Sequence, residues 1–388
     1  MLTRRMDHLL EHFIENGPPG AALKVVQNGK ILYEGFHGVA DIEAKEPIKQ
    51  DTIYRIYSMS KIITCVAALK LLEEGKFLLS DPLEDYLHEF RNMEVIKGKD
   101  DQKIHTVKAK RSIRIKDLFT MTSGLVYGGD NTEVERMTRQ IMIKVRDDES
   151  IDNHSKLRLL SKQLATLPLE FEPASEWKYG LSHDVLGALI EVISGKSFGT
   201  YLKDEIFDPL QMNDTFFKVP EDKKSRLASL YDRDEAGNLK RNTILDSAAE
   251  PIAVFESGGA GLHSTLDDYS KFAQALANGG KYKKYQLLSP HTISLLSTNH
   301  LTPALLNSEG WDAETGYGYG LGVRVMIDKA KGGSNSSIGE FGWSGLAGTY
   351  VSIDPLHQLS VVYMQQMLPN FEAYHQPRIR NVVYGSLY

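Results

Sequence analysis

Residues 58–75 read Ser58-Met59-Ser60-Lys61-Ile62-Ile63-Thr64-Cys65-Val66-Ala67-Ala68-Leu69-Lys70-Leu71-Leu72-Glu73-Glu74-Gly75. The spacing predicts a long, mostly apolar helix closed by Gly75, and a helix apolar on most of its circumference is a buried one. Ser58 and Lys61 form an S-x-x-K, and helical positions i and i+3 share a face, so the lysine amine stands beside the serine hydroxyl. A serine is a weak nucleophile that needs an adjacent base. An ammonium cannot be that base, but burial can depress a lysine pKa enough to expose a neutral amine. A serine at a helix start also offers its own N–H to a developing oxyanion, helped by the helix dipole. Taken without wider context, an S-x-x-K reads more readily as a helix N-cap serine than as a nucleophile.

The rest of the chain sets the frame. Of 388 residues, 41% are hydrophobic and 25% charged, with 45 basic against 51 acidic side chains and a net charge of -6. These values describe an ordinary globular protein and exclude collagen-like, mucin-like or wholly disordered chains. The mild negative charge argues against a dedicated nucleic-acid binder. The one cysteine, Cys65, excludes an intramolecular disulfide and a cysteine-cluster metal site. The longest apolar run is far short of the roughly 20 residues of a spanning helix. At the start, Leu2, Met6, Leu9, Leu10, Phe13 and Ile14 recur with helical spacing, interrupted by Asp7, His8, Glu11 and His12. That pattern predicts a surface helix rather than a secretory segment, hence no membrane partner and a cytoplasmic location.

Residues 21–41 read as a hairpin split at Asn28-Gly29, and the C-terminal end alternates as strands around Pro355-Leu356-His357. Helices are expected at 116–122, 133–146, 155–166 and 183–194. Residues 94–116 carry Lys97, Lys99, Lys103, Lys108, Lys110, Arg111, Arg114 and Lys116, diluted by Glu94, Asp100 and Asp101. This stretch reads as an exposed hairpin, with Ile113 and Ile115 alternating as in a solvated strand. Residues 128–165 read as a solvated helical face rather than a lid. Strands at both chain ends with helices between predict one antiparallel sheet built from the two ends, and a helical lobe. The predicted division is 1–80 with 255–388 for the sheet lobe and 81–254 for the helical lobe, with the active site between them.

Three further motifs compete with Ser58. Ser175-Glu176-Trp177-Lys178 is a second S-x-x-K, but it follows Pro173 and has no apolar helix behind it. Gly195-Lys196-Ser197-Phe198-Gly199 matches G-x-S-x-G, a motif that needs a strand before it. The preceding residues have helical spacing, so Gly195 reads as a helix end and Ser197 as the next helix's N-cap. His8-Leu9-Leu10-Glu11-His12 matches a zinc-protease pattern, but it lies in the surface helix, and no metal site is expected there.

An ordered set of segments carries a resemblance. Thr52-Ile53-Tyr54-Arg55-Ile56-Tyr57-Ser58-Met59-Ser60-Lys61 resembles the nucleophile segment of the serine β-lactamase and penicillin-binding protein superfamily, in particular class C β-lactamases and family VIII carboxylesterases. Asp117-Leu118-Phe119-Thr120-Met121-Thr122-Ser123-Gly124-Leu125 resembles that family's next segment. Leu167-Pro168-Leu169-Glu170-Phe171 through Trp177-Lys178-Tyr179 is similar to the approach to its second motif. Ser257-Gly258-Gly259-Ala260-Gly261-Leu262, Gly318-Tyr319-Gly320-Leu321-Gly322 and Gly342-Trp343-Ser344-Gly345-Leu346-Ala347-Gly348-Thr349 follow in order.

The resemblance implies the β-lactamase-like α/β fold, a central antiparallel sheet flanked by helices with a helical lobe. It implies an acyl-enzyme on Ser58, a proton shuttle through Lys61 and Tyr179, and an oxyanion hole from the backbone N–H groups of Ser58 and Leu346. No metal or organic cofactor is implied. Two departures stand out. Tyr179-Gly180-Leu181 replaces Y-x-N, so Leu181 cannot hydrogen-bond a substrate amide. Trp343-Ser344-Gly345 replaces K-T-G, so an indole stands in place of a charge useful to a substrate carboxylate. Leu181, Trp343, Ser344 and Gly345 are thus expected to contact substrate. The expected activity is a carboxylesterase on short-chain neutral esters. The alternatives are a β-lactamase or D-alanyl carboxypeptidase, an acyltransferase on the same apparatus, or a sensor that acylates without turnover. The partner is a small-molecule ester or β-lactam-like substrate, and the sequence leaves the oligomeric state open.

Overall fold

The computed structural model describes residues 2–100, 103–243, 245, 255–308, 310–312 and 315–387. Asp101 of the basic stretch, and the end of the expected helical lobe at residues 246–254, lie outside the described residues.

The central sheet has eight strands drawn from the two chain ends. From the N-terminal end come β1 (Gly20–Gln27), β2 (Lys30–Asp41) and β3 (Glu46–Pro47). From the C-terminal end come β4 (Tyr317–Tyr319), β5 (Arg324–Met326), β6 (Phe341–Ser344), β7 (Tyr350–Asp354) and β8 (Leu359–Met364). Their order is β4-β5-β6-β7-β8-β1-β2-β3, and every neighbouring pair is antiparallel. The Asn28-Gly29 turn takes φ of 51° and 73° at its two residues, the positive pair that a tight hairpin matched to strand twist requires.

Both faces of this sheet are covered, which explains why β1, β7 and β8 are buried along nearly their whole length rather than alternating between buried and exposed. One face carries Ala21, Leu23, Val25, Tyr350, Val361 and Tyr363. It packs against α1 (Leu2–Asn16), through Met6, Leu10 and Phe13, and against the last helix (Glu372–Tyr384), through Ile379 and Val383. The other face carries Ala22, Val351, Ile353, Val362 and Met364. It joins the main core with α2 (Ser60–Glu73) and the helix Leu266–Ala277.

The middle of the chain supplies the helices Glu133–Asp147, Asn153–Leu164 and Ser182–Ser194. The first two bury one face each, through Val134 and Val145 and through Leu157, Leu160 and Leu164. The basic stretch forms a hairpin of Glu94–Asp100 on Lys103–Lys108. Ile113 and Ile115 correct the sequence-based expectation of a solvated strand. They are 1% and 0% exposed, and Ile115 opens a short helix to Phe119. Their alternation reflects two core anchors flanking Arg114, which is the N-cap of that helix.

Phe13 ties α1 to the sheet. It is 1% exposed, meets the Tyr363 ring edge-on at 6.3 Å and lies 4.1 Å from the His375 ring. Phe13→Ala should destabilise the protein by about 3–5 kcal/mol. Chemical denaturation checks this, and an unchanged unfolding midpoint would contradict the packing described here.

Candidate active site

The nucleophile segment is held in place by its neighbours. A 3-10 turn at Tyr57–Met59 leads into α2, and Tyr57 takes a positive φ of 43°. A bulky residue in that region stores strain that the surrounding structure must impose. The restraints are visible. The Leu262 N–H donates to Ser60 Oγ at 3.1 Å, Tyr269 donates to the Met59 carbonyl at 2.9 Å, and the Ile56 N–H donates to the Leu262 carbonyl at 3.1 Å.

Lys61 is 0% exposed and extends along the inside of the site. Its Nζ lies 2.6 Å from the Gly259 carbonyl, 2.8 Å from the Tyr127 hydroxyl and 3.3 Å from Ser58 Oγ. Three donors meet three acceptors, so the ammonium is fully satisfied. It also lies 4.5 Å from the centroid of the Tyr179 ring, within cation–π range. Burial alone pushes the ammonium pKa down, but Tyr127 and Tyr179 push it up and prevail, so the pKa lies above its ordinary value. The sequence shows the burial of α2 but not the two tyrosines and the carbonyl that receive the charge. His183, also buried beside Lys61, is pushed down to about 3 by burial and then by the Lys61 charge, so it is neutral.

Tyr179 comes from the loop before the helix Ser182–Ser194. The Trp343 Nε1–H donates to its hydroxyl at 2.9 Å, and the two rings stack at 5.5 Å. Gly180 makes this placement sterically feasible, because a Cβ there would lie 2.2 Å from the Leu125 carbonyl oxygen. That close approach brings the Tyr127 and Tyr179 rings to 5.6 Å. Burial pushes the Tyr127 pKa up, Lys61 opposes it, and Tyr179 and Asp184 add to the rise.

The end of β6 closes the other side. A Cβ on Gly345 would lie 2.5 Å from the Ile56 carbonyl oxygen, so this position has room for glycine alone. The Gly345 N–H donates to the Thr349 carbonyl at 2.7 Å, and Thr349 Oγ1 donates to the Ile56 carbonyl at 3.3 Å. These contacts lay the Gly345–Leu346 backbone beside the Ser58 turn. The Leu346 side chain itself is 49% exposed. Ser344 Oγ donates to Glu372 at 2.7 Å. Leu181 is 2% exposed and packs in the main core, against which Tyr127 and Trp343 also pack.

The competing motifs have other structural roles. Lys178 pairs with Glu135 at 2.9 Å and Glu170 at 3.6 Å. Ser197 caps the helix Phe198–Leu202 by accepting from the Thr200 N–H. His12 meets the Tyr374 hydroxyl at 3.1 Å.

Three participants escaped the sequence analysis: Tyr127, the Gly259 carbonyl and Asp184. Tyr127 stands two residues beyond the Ser123-Gly124-Leu125 segment, where an aromatic residue was the available signal. Asp184 carried none, because only the fold brings it to the glycine turn. It is fully buried, and its Oδ1 accepts from Ser257 Oγ at 2.6 Å and from the Gly259 N–H at 3.3 Å. It therefore holds the turn whose carbonyl accepts a hydrogen bond from Lys61. Burial pushes its pKa up, while Ser257, the Lys61 charge and the Gly259 N–H pull it down.

Two measurements follow from this geometry. With Lys61 held above its ordinary pKa, kcat/KM should show no descending limb from about pH 7 to about pH 9. A limb with its midpoint inside that window would mean that Lys61 loses its proton there. Asp184→Asn keeps an acceptor for Ser257 and Gly259 but removes the negative charge facing Lys61. It should lower kcat/KM about tenfold and move the descending limb to lower pH, and a pH profile superimposable on wild type would limit Asp184 to packing.

Comparisons with known proteins agree with this geometry. A protein-family model described as Beta-lactamase matches residues 3–384. An uncharacterized protein of Mycobacterium tuberculosis is 32% identical over 91% of this chain and 87% of its own length. Esterase EstB of Burkholderia gladioli is 29% identical over 94% of this chain and 90% of its own. Among solved structures, EstCE1, described as a hydrolase with promiscuous acyltransferase activity, superposes with a TM-score of 0.82. It is 25% identical, with 99% of this chain and 98% of that one covered. With its ends, middle and core all matched, the chain belongs to the β-lactamase family and is a serine hydrolase of the β-lactamase and penicillin-binding protein superfamily.

Proposed function

We propose that the protein is a serine carboxylesterase acting on short-chain esters that are uncharged around the reacting carbonyl. The observation that carries this reading is the 2.9 Å hydrogen bond from Trp343 Nε1 to the Tyr179 hydroxyl. An indole takes the place of an ammonium beside the reaction centre, and its N–H is directed at the tyrosine oxygen.

In the proposed reaction, Ser58 Oγ attacks the acyl carbonyl and its proton passes to the Tyr179 oxygen, the Lys61–Tyr179 pair having given up one proton to solvent beforehand. That oxygen accepts a hydrogen bond from Trp343 Nε1, and the Lys61 Nζ lies 4.5 Å from the centroid of its ring. Lys61 Nζ, 3.3 Å from Ser58 Oγ, orients the nucleophile. The Ser58 and Leu346 N–H groups receive the developing oxyanion, an interaction whose loss costs about 3 kcal/mol in comparable sites. Tyr179 then returns the proton to the departing alcohol, and water attacks the acyl-enzyme by the same route.

A hydrolase with acyltransferase activity among the structural relatives also favours a second reading, in which an added alcohol competes with water for the acyl-enzyme. Product analysis with added alcohol separates the two. The primary test compares wild type and Ser58→Ala on p-nitrophenyl butyrate and on the cephalosporin nitrocefin. Wild type should hydrolyse the ester faster than nitrocefin, and Ser58→Ala should lose at least about a thousandfold. The reverse substrate ranking would replace the esterase reading with a β-lactamase, and an equally active mutant would remove Ser58 as nucleophile.

A further inference from the structure

A cavity of about 560 Å³ opens beside Trp343 and Ser344. The protein has three tryptophans, and all of them, Trp177, Trp311 and Trp343, line it. Two arginines line it as well. Arg324 stands on β5, paired in register with Gly342 of β6, so no side chain from that strand position covers it. Arg380 comes from the last helix and is 6% exposed.

The two guanidiniums are close neighbours. Arg324 lies 5.2 Å from the ring centroids of both Tyr317 and Tyr350, and Arg380 lies 5.6 and 5.9 Å from the same two rings. Among the described residues neither has a carboxylate within 4.0 Å. Arg324 Nη2 donates to Gln376 at 2.9 Å and Arg380 Nη1 to the Tyr350 hydroxyl at 3.0 Å, while the Nε of each is buried with no partner. A guanidinium has five N–H donors, so most of these donors have no protein acceptor. The nearby Glu340 is itself engaged by Tyr317 and Ser352. The acids on the cavity wall, Asp312 and Glu372, are exposed at its rim, and Glu372 already accepts from Ser344 and Gln376. Aromatic walls with two interior guanidiniums fit a short hydrocarbon arm that ends in a carboxylate.

We propose that this cavity is a second substrate subsite that reads a carboxylate remote from the scissile bond, so that the preferred substrate is a half-ester of a short dicarboxylic acid. The proposal rests on the esterase reading and extends it. The reacting end lies among Tyr179 and Trp343 and is uncharged, and the far end of the acyl chain meets Arg324 and Arg380.

Because all three tryptophans line the cavity, intrinsic fluorescence reports occupancy without turnover. Titration with glutarate, a diacid that cannot be hydrolysed, should give a saturable change that weakens with added salt. Arg324→Gln should weaken binding about tenfold or more, and Arg324→Lys should restore part of it. Neutral dimethyl glutarate should bind at least about tenfold more weakly than glutarate. In turnover, wild type should prefer monomethyl glutarate over dimethyl glutarate, and Arg324→Gln should bring that ratio towards one. Equal binding of the diacid and its dimethyl ester, or glutarate binding indifferent to Arg324→Gln, overturns the subsite. A preference for 4-acetoxybutanoate over monomethyl glutarate would overturn the assignment of the charge to the acyl arm. Glutarate binding without hydrolysis of any ester would leave the subsite standing and remove the esterase reading.

Discussion

One buried charge organises this molecule. The Lys61 ammonium is sealed from solvent and lies within hydrogen-bonding distance of the Gly259 carbonyl, the Tyr127 hydroxyl and Ser58 Oγ. A buried ammonium without partners would be strongly unfavourable, so the fold must bring three distant segments to one atom. The glycine turn at 257–259, the loop at 125–127 and the start of α2 converge there. Asp184 holds the first of these from behind. Tyr179 adds its ring face to the same charge and its hydroxyl to Trp343. Ser58, Tyr179 and Lys61 are therefore one electrostatic unit rather than three independent residues, and removing any of them disturbs the other two.

The sheet sets the boundary of that unit. Its strands come from the two chain ends, so β6 can carry Trp343 and Ser344 up to a nucleophile encoded nearly three hundred residues earlier. The close approach of Gly345 to the Ile56 carbonyl makes the end of β6 and the Ser58 turn a single rigid edge. On the far side of Trp343, the same strands leave Arg324 facing open space across from Gly342. Reaction site and arginine-lined cavity thus share a wall, with the uncharged surface at the reacting end and the positive surface beyond it.

Much of this was legible in the sequence, for identifiable reasons. The α2 pattern is apolar on most of its circumference, which marks burial, and the i, i+3 spacing put Lys61 beside Ser58. Asn28-Gly29 marked the hairpin, and Gly195 and Ser197 marked a helix end and a cap. What escaped was long-range. The charge state of Lys61 depends on Tyr127 and Tyr179, each far from it in sequence, and Asp184 acts only through a turn more than seventy residues away. Ile113 and Ile115 were misread because period-two spacing also arises when two core anchors flank a helix cap. Leu181 read either as a pocket residue or as packing, and it is buried at the start of the helix Ser182–Ser194.

The central claim is that Ser58, oriented by Lys61, forms the covalent acyl-enzyme. Its most direct test is acid quenching of the reaction with p-nitrophenyl butyrate during the first turnover, followed by peptide mass mapping. The account predicts a butyryl adduct on the peptide that contains Ser58, at the hydroxyl of that residue. An adduct on Ser197, or turnover with no covalent adduct under conditions that trap one on a known serine esterase, would contradict it.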